Sequence, residues 1–479
     1  MSEGPGGGAV RWTRRAVQTA LFLLFLWLIW ETKVPLRTPL PPDFFLRLDP
    51  LLFVGASLSA REVLGWPAFL PAVLVLLSAF ALGRVFCGWV CPMGTSLDIG
   101  ERALRIRPKS KGASSLPAVK FYLLALLLFT CLISPQVLYL LDPMPFVTRA
   151  FALGFYPIVP IVANPVLLRL DRAPLHTTGF NAGLLFAGLL ILLVLLGSFE
   201  RRFWCRNLCP LGAMLSLPAR VAPLRRRVNL DKCTECMRCV RECKTGALGP
   251  GPADWRPEEC TLCMTCVSVC PEGAVSFGFR GEAGRRGVDI ARRRLLLAGL
   301  GGVLLSLFLS TSSTRRRGHP RLIRPPNALP EEKFLNACVR CGECIKVCPT
   351  SGLQPCLFEG GWEALWTPVL VPSIGPCESN CNACGEVCPT GAIRPFKVGE
   401  KPNIKMGTAL INRSTCLVWA YGENCFVCVE VCPYKAARKT PKGPVVLREV
   451  CVGCGICEFN CPTQPAPSIY VVSWGERRA

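Results

Sequence analysis

Between Cys233 and Cys243 the chain reads C-T-E-C-M-R-C-V-R-E-C, and the same C-x2-C-x2-C-x3-C spacing returns at Cys260, Cys263, Cys266 and Cys270, followed by Pro271. Few patterns constrain a fold more. Three such closely spaced thiolates cap one face of a [4Fe-4S] cube, and the fourth cysteine reaches a neighbouring cluster. That rule assigns Cys233, Cys236, Cys239 and Cys270 to one cluster and Cys260, Cys263, Cys266 and Cys243 to a second. Lys244 stands where the first repeat would carry its proline. A zinc site needs two separated ligand pairs, not a triplet with a distant fourth ligand.

Four more groups follow: Cys338, Cys341, Cys344 and Cys348; Cys377, Cys381, Cys384 and Cys388; Cys416, Cys425, Cys428 and Cys432; Cys451, Cys454, Cys457 and Cys461. Each fourth cysteine precedes a proline: Pro349, Pro389, Pro433 and Pro462. The middle two groups have stretched first gaps, x3 and x8, which predicts altered loops around four further clusters. Spacing alone leaves open which fourth cysteine crosses to which neighbour.

Six groups use 24 of the 30 cysteines. Cys131 and Cys356 stand alone and read as buried small hydrophobes. The other four form an internal repeat, Cys87-Gly-Trp-Val-Cys91-Pro92 and Cys205-Arg-Asn-Leu-Cys209-Pro210. C-x3-C sets both sulfurs on one face of a helical turn, and two such turns could bring four thiols together. This quartet reads as an additional redox or metal site, as a quinone-site lining, or as packing at helix ends.

The only histidines are His176 and His319, and no C-x-x-C-H occurs, so neither bis-histidine haem nor covalent haem is expected. The formal charge of +23 would suggest nucleic acid. Six loaded clusters would add about −12 and leave roughly +11. That surplus lies beside apolar segments, where basic residues mark membrane edges, so no nucleic-acid partner is expected.

Charge-free runs at 63–83, 121–141, 177–199 and 295–314, with a shorter run at 16–30, predict about five transmembrane helices. The run 150–168 also lacks charge, but Pro157, Pro160 and Pro165 suit a re-entrant or interfacial segment better. Arg11, Arg14 and Arg15, then Arg102, Arg105, Arg107, Lys109 and Lys111, then Arg201, Arg202 and Arg206 mark cytoplasmic faces. The last apolar run opens Arg292-Arg293-Arg294-Leu295-Leu296, which reads either as a positive-inside anchor or as a twin-arginine export signal with Ala291 in place of Ser or Thr. Arg315, Arg316 and Arg317 at its far end remove the charge bias and favour export of a folded, cluster-bearing domain.

The expected architecture is a membrane α-helical bundle joined to α+β bacterial-type ferredoxin domains. Residues 1–224 form a four-helix membrane domain with the two C-x3-C-P turns, and 225–290 a cytoplasmic two-cluster ferredoxin. Residues 291–314 form the fifth transmembrane helix, and 315–479 a periplasmic four-cluster ferredoxin. Residues 1–290 resemble the H-type membrane ferredoxin of periplasmic nitrate reductase systems, whose core is shared with the regulator NosR. Residues 295–479 resemble the G-type ferredoxin of the same module, related to the MauM/NapG family, so the chain looks like a fusion of two usually separate subunits.

The resemblance implies a protein of the bacterial inner membrane that oxidises quinol from the membrane pool. It would pass electrons through iron-sulfur clusters to a periplasmic reductase or a c-type cytochrome. The resemblance includes no flavin domain that this chain has room for, so no flavin is expected. Proton acceptors for quinol would come from Asp98, Glu101 and Glu200 on the inner side or Asp142, Asp171 and His176 on the outer side, none of them singled out as catalytic. Clusters on both faces would stand about 30 Å of hydrocarbon apart, leaving the cysteine quartet or the quinone to bridge them. Other readings are a redox-sensing or maturation factor, and a ferredoxin hub facing the cytoplasm throughout.

Overall fold

The computed structural model describes residues 7–60, 70–106, 108, 116, 118–170, 173–175, 177–251, 253–279, 290–310 and 320–478. Residues 63–69, Arg107, Lys109, Lys111, Asp171, His176, His319 and Arg315, Arg316 and Arg317 lie outside the described residues. The chain divides into two compact units. One comprises Met1–Leu28, Phe44–Val147 and Ala187–Ser306; the other comprises Ile29–Asp43, Thr148–Phe186 and Leu307–Ala479.

The apolar runs become helices, but not five unbroken crossings. The 121–141 run splits into helices Val119–Cys131 and Gln136–Leu141, parted before Pro135, which has no N–H to continue the ladder. The 177–199 run is α-helical only over Gly183–Leu195. Helices Leu70–Leu82 and Val85–Ala103 qualify as a span only together, bent by 101°. The one described helix long and apolar enough to cross unaided is Pro143–Arg169, with 27 residues and mean hydropathy 1.8. The 150–168 segment, expected to be re-entrant or interfacial, is thus helical through its prolines, with Pro165 inside the helix. Pro157 caps Ile158–Arg169 and Pro160 falls in its first turn, where a missing N–H costs no bond, while the π-helical stretch Ala150–Phe155 takes up the change of pitch.

Several helices present apolar faces outward: Leu74 is 59 % exposed and Leu296 75 %. Contiguous faces of that kind mark contact with lipid or a partner. Helix Arg292–Ser310 packs on helix Val119–Cys131 through small residues. Gly302 meets the Leu126 carbonyl, Gly299 rests on the Phe129 ring, and Ser306 Oγ donates to the Thr130 carbonyl at 3.3 Å. In the same unit, strands Leu224–Val228 and Val275–Phe279 pair antiparallel and bracket both halves of the first ferredoxin motif.

The second unit holds the C-terminal ferredoxin motifs among short helices and two-stranded antiparallel sheets. Thr408–Ile411 pairs with Ile469–Val472, and Ala437–Thr440 with Gly443–Val446. Residues from three chain segments meet here. Lys346 Nζ donates to the Thr32 carbonyl at 2.7 Å, Gln354 Nε2 donates to the Gly179 carbonyl at 3.1 Å, and Asn181 N–H donates to Gln354 Oε1 at 2.8 Å. Arg149 donates to the Arg340 carbonyl at 2.8 Å and lies over the Trp366 ring at 4.3 Å.

Burial would raise the Glu331 carboxyl, yet ion pairs with Arg324 and Arg478, both at 2.6 Å, outweigh it and hold Glu331 down at about 2. Its ordinary value is 4.5, so the charged form stabilises the fold above pH 4.5, and that contribution is lost as pH falls toward 2. Glu331→Gln should therefore lower stability by roughly 2–3 kcal/mol at neutral pH. The gap to wild type in thermal melting should narrow below pH 4.5; a gap independent of pH would overturn the assignment.

Candidate iron-sulfur centres

Four of the six motifs share one backbone device. Residues on either side of the second cysteine take left-handed conformations: Glu235 and Met237, Leu262 and Met264, Arg340 and Gly342, Gly453 and Gly455. Such residues reverse the local curl of the chain, which turns three successive thiols toward one point. The two stretched motifs lack this alternation. Asn382 and Phe426 stand before their short helices with φ of −131° and −127°, so longer loops deliver the same sulfurs by another path.

Each triplet meets a fourth thiol from its partner motif. One cavity is lined by Cys233, Cys236, Cys239 and Cys270, a second by Cys243, Cys260, Cys263 and Cys266, and a third by Cys416, Cys425, Cys428 and Cys461. The thiols of Cys338, Cys341, Cys344 and Cys388 interact electrostatically, as do those of Cys348, Cys377, Cys381 and Cys384. Cys432, Cys451, Cys454 and Cys457 form the sixth set. The exchange of fourth cysteines that spacing left open thus runs between first and second, and between third and fourth, C-terminal motifs. Backbone N–H groups aim at several sulfurs: Ala274 at Cys270, Ala436 at Cys432 and Ala409 at Cys451, at 3.3, 3.2 and 3.4 Å.

The donor sets suit clusters chemically. Burial pushes Cys260 and Cys454 up to about 12 and Cys377 up to about 11, so a thiolate persists there only beside added positive charge such as iron. Among the described residues no three His, Cys, Asp or Glu side chains converge at single-ion distances. Thiolates that cap separate irons of a cube stand further apart than ligands of one zinc ion.

The quartet Cys87, Cys91, Cys205 and Cys209 also comes together, all four thiols interacting electrostatically with one another, and three of them, Cys87, Cys205 and Cys209, with the Arg84 guanidinium. Gly212 N–H donates to Cys209 Sγ at 3.2 Å. The cysteine loop of the first ferredoxin rests on this turn. Gly88 meets the Thr261 carbonyl so closely that any side chain would collide with it, and Trp89 Nε1 donates to the Leu262 carbonyl at 3.0 Å. Cys131 and Cys356 are both fully buried.

The carboxyl candidates divide. Asp98 is locked by Arg202 at 2.8 Å, Lys244 at 2.7 Å and Arg14 at 3.6 Å, an ion-pair hub rather than a proton acceptor. Glu200 pairs with Arg206 at 3.5 Å and accepts from Asn207 at 3.0 Å. Glu101 Oε1 accepts from Arg202 N–H at 2.8 Å, and its side chain lines a cleft of about 460 Å³ with Arg14, Arg102, Lys244 and Thr265. Asp142 is fully buried and hydrogen-bonded to the equally buried Asp49, so one of the two carries a proton. Sequence reasoning missed Asp49, Arg84 and the ion pairs of Lys120 and Arg84 with Glu259. The available signal was a lone charge at the edge of an apolar run.

Comparison with known proteins finds a 4Fe-4S binding domain model at residues 64–111 and 181–230, the segments that hold the quartet. Further 4Fe-4S binding models match 226–249, 253–276 and 335–351, and a 4Fe-4S dicluster model matches 377–436. The methylamine utilization ferredoxin-type protein MauM of Methylorubrum extorquens is 37% identical over 36% of this chain and 84% of its own length. The ferredoxin-type protein NapG of Escherichia coli is 34% identical over 38% of this chain and 86% of its own. The ferredoxin-type protein NapH of Haemophilus influenzae is 27% identical over 51% of this chain and 78% of its own. No solved structure matches.

Proposed function

The chain belongs to the ferredoxin-type family of MauM and NapG, and we propose that it is a membrane-bound iron-sulfur protein that takes electrons from quinol and delivers them to a periplasmic reductase of nitrate or nitrous oxide type, or to its cytochrome. The NapH likeness supports reading it as NapH-like and NapG-like parts in one chain.

The observation that carries this reading is the seat of the Cys260 to Cys263 loop on the Cys87 to Cys91 turn. The six ferredoxin sets would each hold a [4Fe-4S] cluster, and the quartet an additional iron-sulfur centre; when bound, such centres accept and donate single electrons. The chain supplies the setting. Gly88 and Trp89 bring the loop to the turn, Arg84 and Arg202 offset thiolate charge, and Glu259 and Asp98 hold those cations in place. Glu101 lines the cleft with Thr265, whose hydroxyl lies 3.4 Å from Cys263 Sγ, so a quinol entering it would meet a carboxylate able to take its proton.

Charge bias gives residues 29–43 and the turn before 183 to the outer side, and the C-terminal ferredoxin touches both through Lys346 and Gln354. That supports a periplasmic C-terminal domain. Arg149 near the start of helix Pro143–Arg169 and Asn181 beyond its end both bond to that ferredoxin, which supports reading the 150–168 segment as re-entrant from the outer side. Asn164 bonds both the Leu175 N–H and the Leu175 carbonyl, at 2.7 and 2.9 Å, which holds Leu175 back against this helix. The arginines that open helix Arg292–Ser310 are read as a signal for the twin-arginine machinery.

In anaerobic proteoliposomes, menaquinol should bleach the iron-sulfur absorption within catalytic turnover times. Glu101→Gln should slow this without changing iron content. A loaded protein that menaquinol leaves oxidised would overturn the quinol reading in favour of a sensor.

A further inference from the structure

The residue two places after the fourth cysteine is threonine in four motifs: Thr245, Thr350, Thr390 and Thr463. These hydroxyls are satisfied locally. Thr463 Oγ1 lies 3.2 Å from Cys461 Sγ, Thr350 Oγ1 donates to the Pro376 carbonyl at 2.6 Å, and Thr390 Oγ1 donates to the Ala337 carbonyl at 2.7 Å. After Cys432-Pro433 the same position holds Tyr434. Its phenol oxygen is shut off from solvent and, among the described residues, has no hydrogen-bond partner. A buried hydroxyl donor is rarely left unpaired in a native structure.

Its surroundings say what the partner is. The thiols that act on the Tyr434 hydroxyl electrostatically are Cys454, Cys377 and Cys432. Cys432 and Cys454 belong to one four-cysteine set and Cys377 to the next, and the two sets touch where Cys377 N–H donates to the Cys454 carbonyl at 2.8 Å. Tyr434 therefore stands at the junction of two sets, with a donor and no acceptor for it among the described residues.

We infer that Tyr434 is a positioning residue that donates its O–H to a sulfur of the cluster held by Cys432, Cys451, Cys454 and Cys457, and so raises that cluster's reduction potential relative to its neighbours. This rests on the iron-sulfur reading of that cysteine set. A hydrogen bond to cluster sulfur stabilises the more negative, reduced state, which is how protein donors set the order of potentials in a series. No electron leaves the tyrosine and no proton is transferred.

The test is an EPR-monitored redox titration of the full chain, comparing wild type with Tyr434→Phe, which keeps the ring and removes only the donor. Cys454→Ser in parallel marks which signal belongs to this set. The expected result is a shift of that signal to a more negative potential in the phenylalanine variant, with the other signals unmoved and iron content unchanged. An unshifted potential at full iron content would overturn the inference. Loss of the cluster from the phenylalanine variant would also overturn it, making the hydroxyl a structural support. If wild type lacked the Cys454-marked signal, the cysteine set itself would not be a cluster site and the inference would fall with it.

Discussion

Replacing Cys87, Cys91, Cys205 and Cys209 together with serine should lower the iron content from about 28 to about 24 per chain, with acid-labile sulfide falling in parallel, because one four-iron centre is removed and six remain. Reduction by menaquinol should be lost in the same variant. The four thiols lie close together, Arg84 stands beside three of them, and the N–H of Gly212 is aimed at Cys209 Sγ. Cys91 and Cys209 are buried and Cys87 and Cys205 half-buried, so the four thiols converge in a site largely closed to solvent. The Arg84 guanidinium, paired with Glu259 at 3.3 Å, lies where it would also offset thiolates that a bound metal would maintain. Serine is nearly isosteric, so the turns should still form and the first ferredoxin should keep its seat. Unchanged iron in the variant, at about 24 in both proteins, would leave the quartet as thiols and remove the centre from the membrane part of the chain.

The cysteine spacing made the ferredoxin portions legible because ligand position and local backbone are coupled: across two successive two-residue gaps, left-handed residues on either side of the second cysteine turn the three thiols toward one cube face. The stretched gaps before Cys381 and Cys425 were readable as departures, but their loops were not, since longer segments reach the same point by many paths. The exchange of fourth cysteines among the C-terminal motifs depends on which motifs pack together, a tertiary fact. Likewise, counting apolar residues located the helices but not their breaks. Pro135 ended one run early, whereas Pro157 and Pro160 fell at a helix start and were harmless. Asp49 and Glu259 were invisible for a different reason: their partners Asp142, Arg84 and Lys120 are far away in sequence, and only folding makes them neighbours.

Glu259 should be the most sensitive non-cysteine position in the first unit. Its carboxylate is paired with Lys120 and, at 3.3 Å, with Arg84, whose Nη1 also donates to the Glu258 carbonyl at 3.1 Å. Side-chain exposures are 3 % for Glu259, 0 % for Lys120 and 1 % for Arg84. Glu259→Gln keeps the shape but strands two buried cations, and breaking a buried pair from one side costs about 3–5 kcal/mol. In a unit of this size that corresponds to a fall of order 10 °C in melting temperature. The loss should exceed simple destabilisation, because this contact ties the 3-10 turn Pro257–Glu259, directly before Cys260, to Arg84, three residues before Cys87, and to Lys120 on helix Val119–Cys131. Thus the variant should also slow menaquinol reduction while retaining its six ferredoxin centres. Adding Lys120→Met should recover part of the stability, since one stranded charge is then removed with its volume kept; additive losses in the double variant would show that Lys120 and Glu259 act independently.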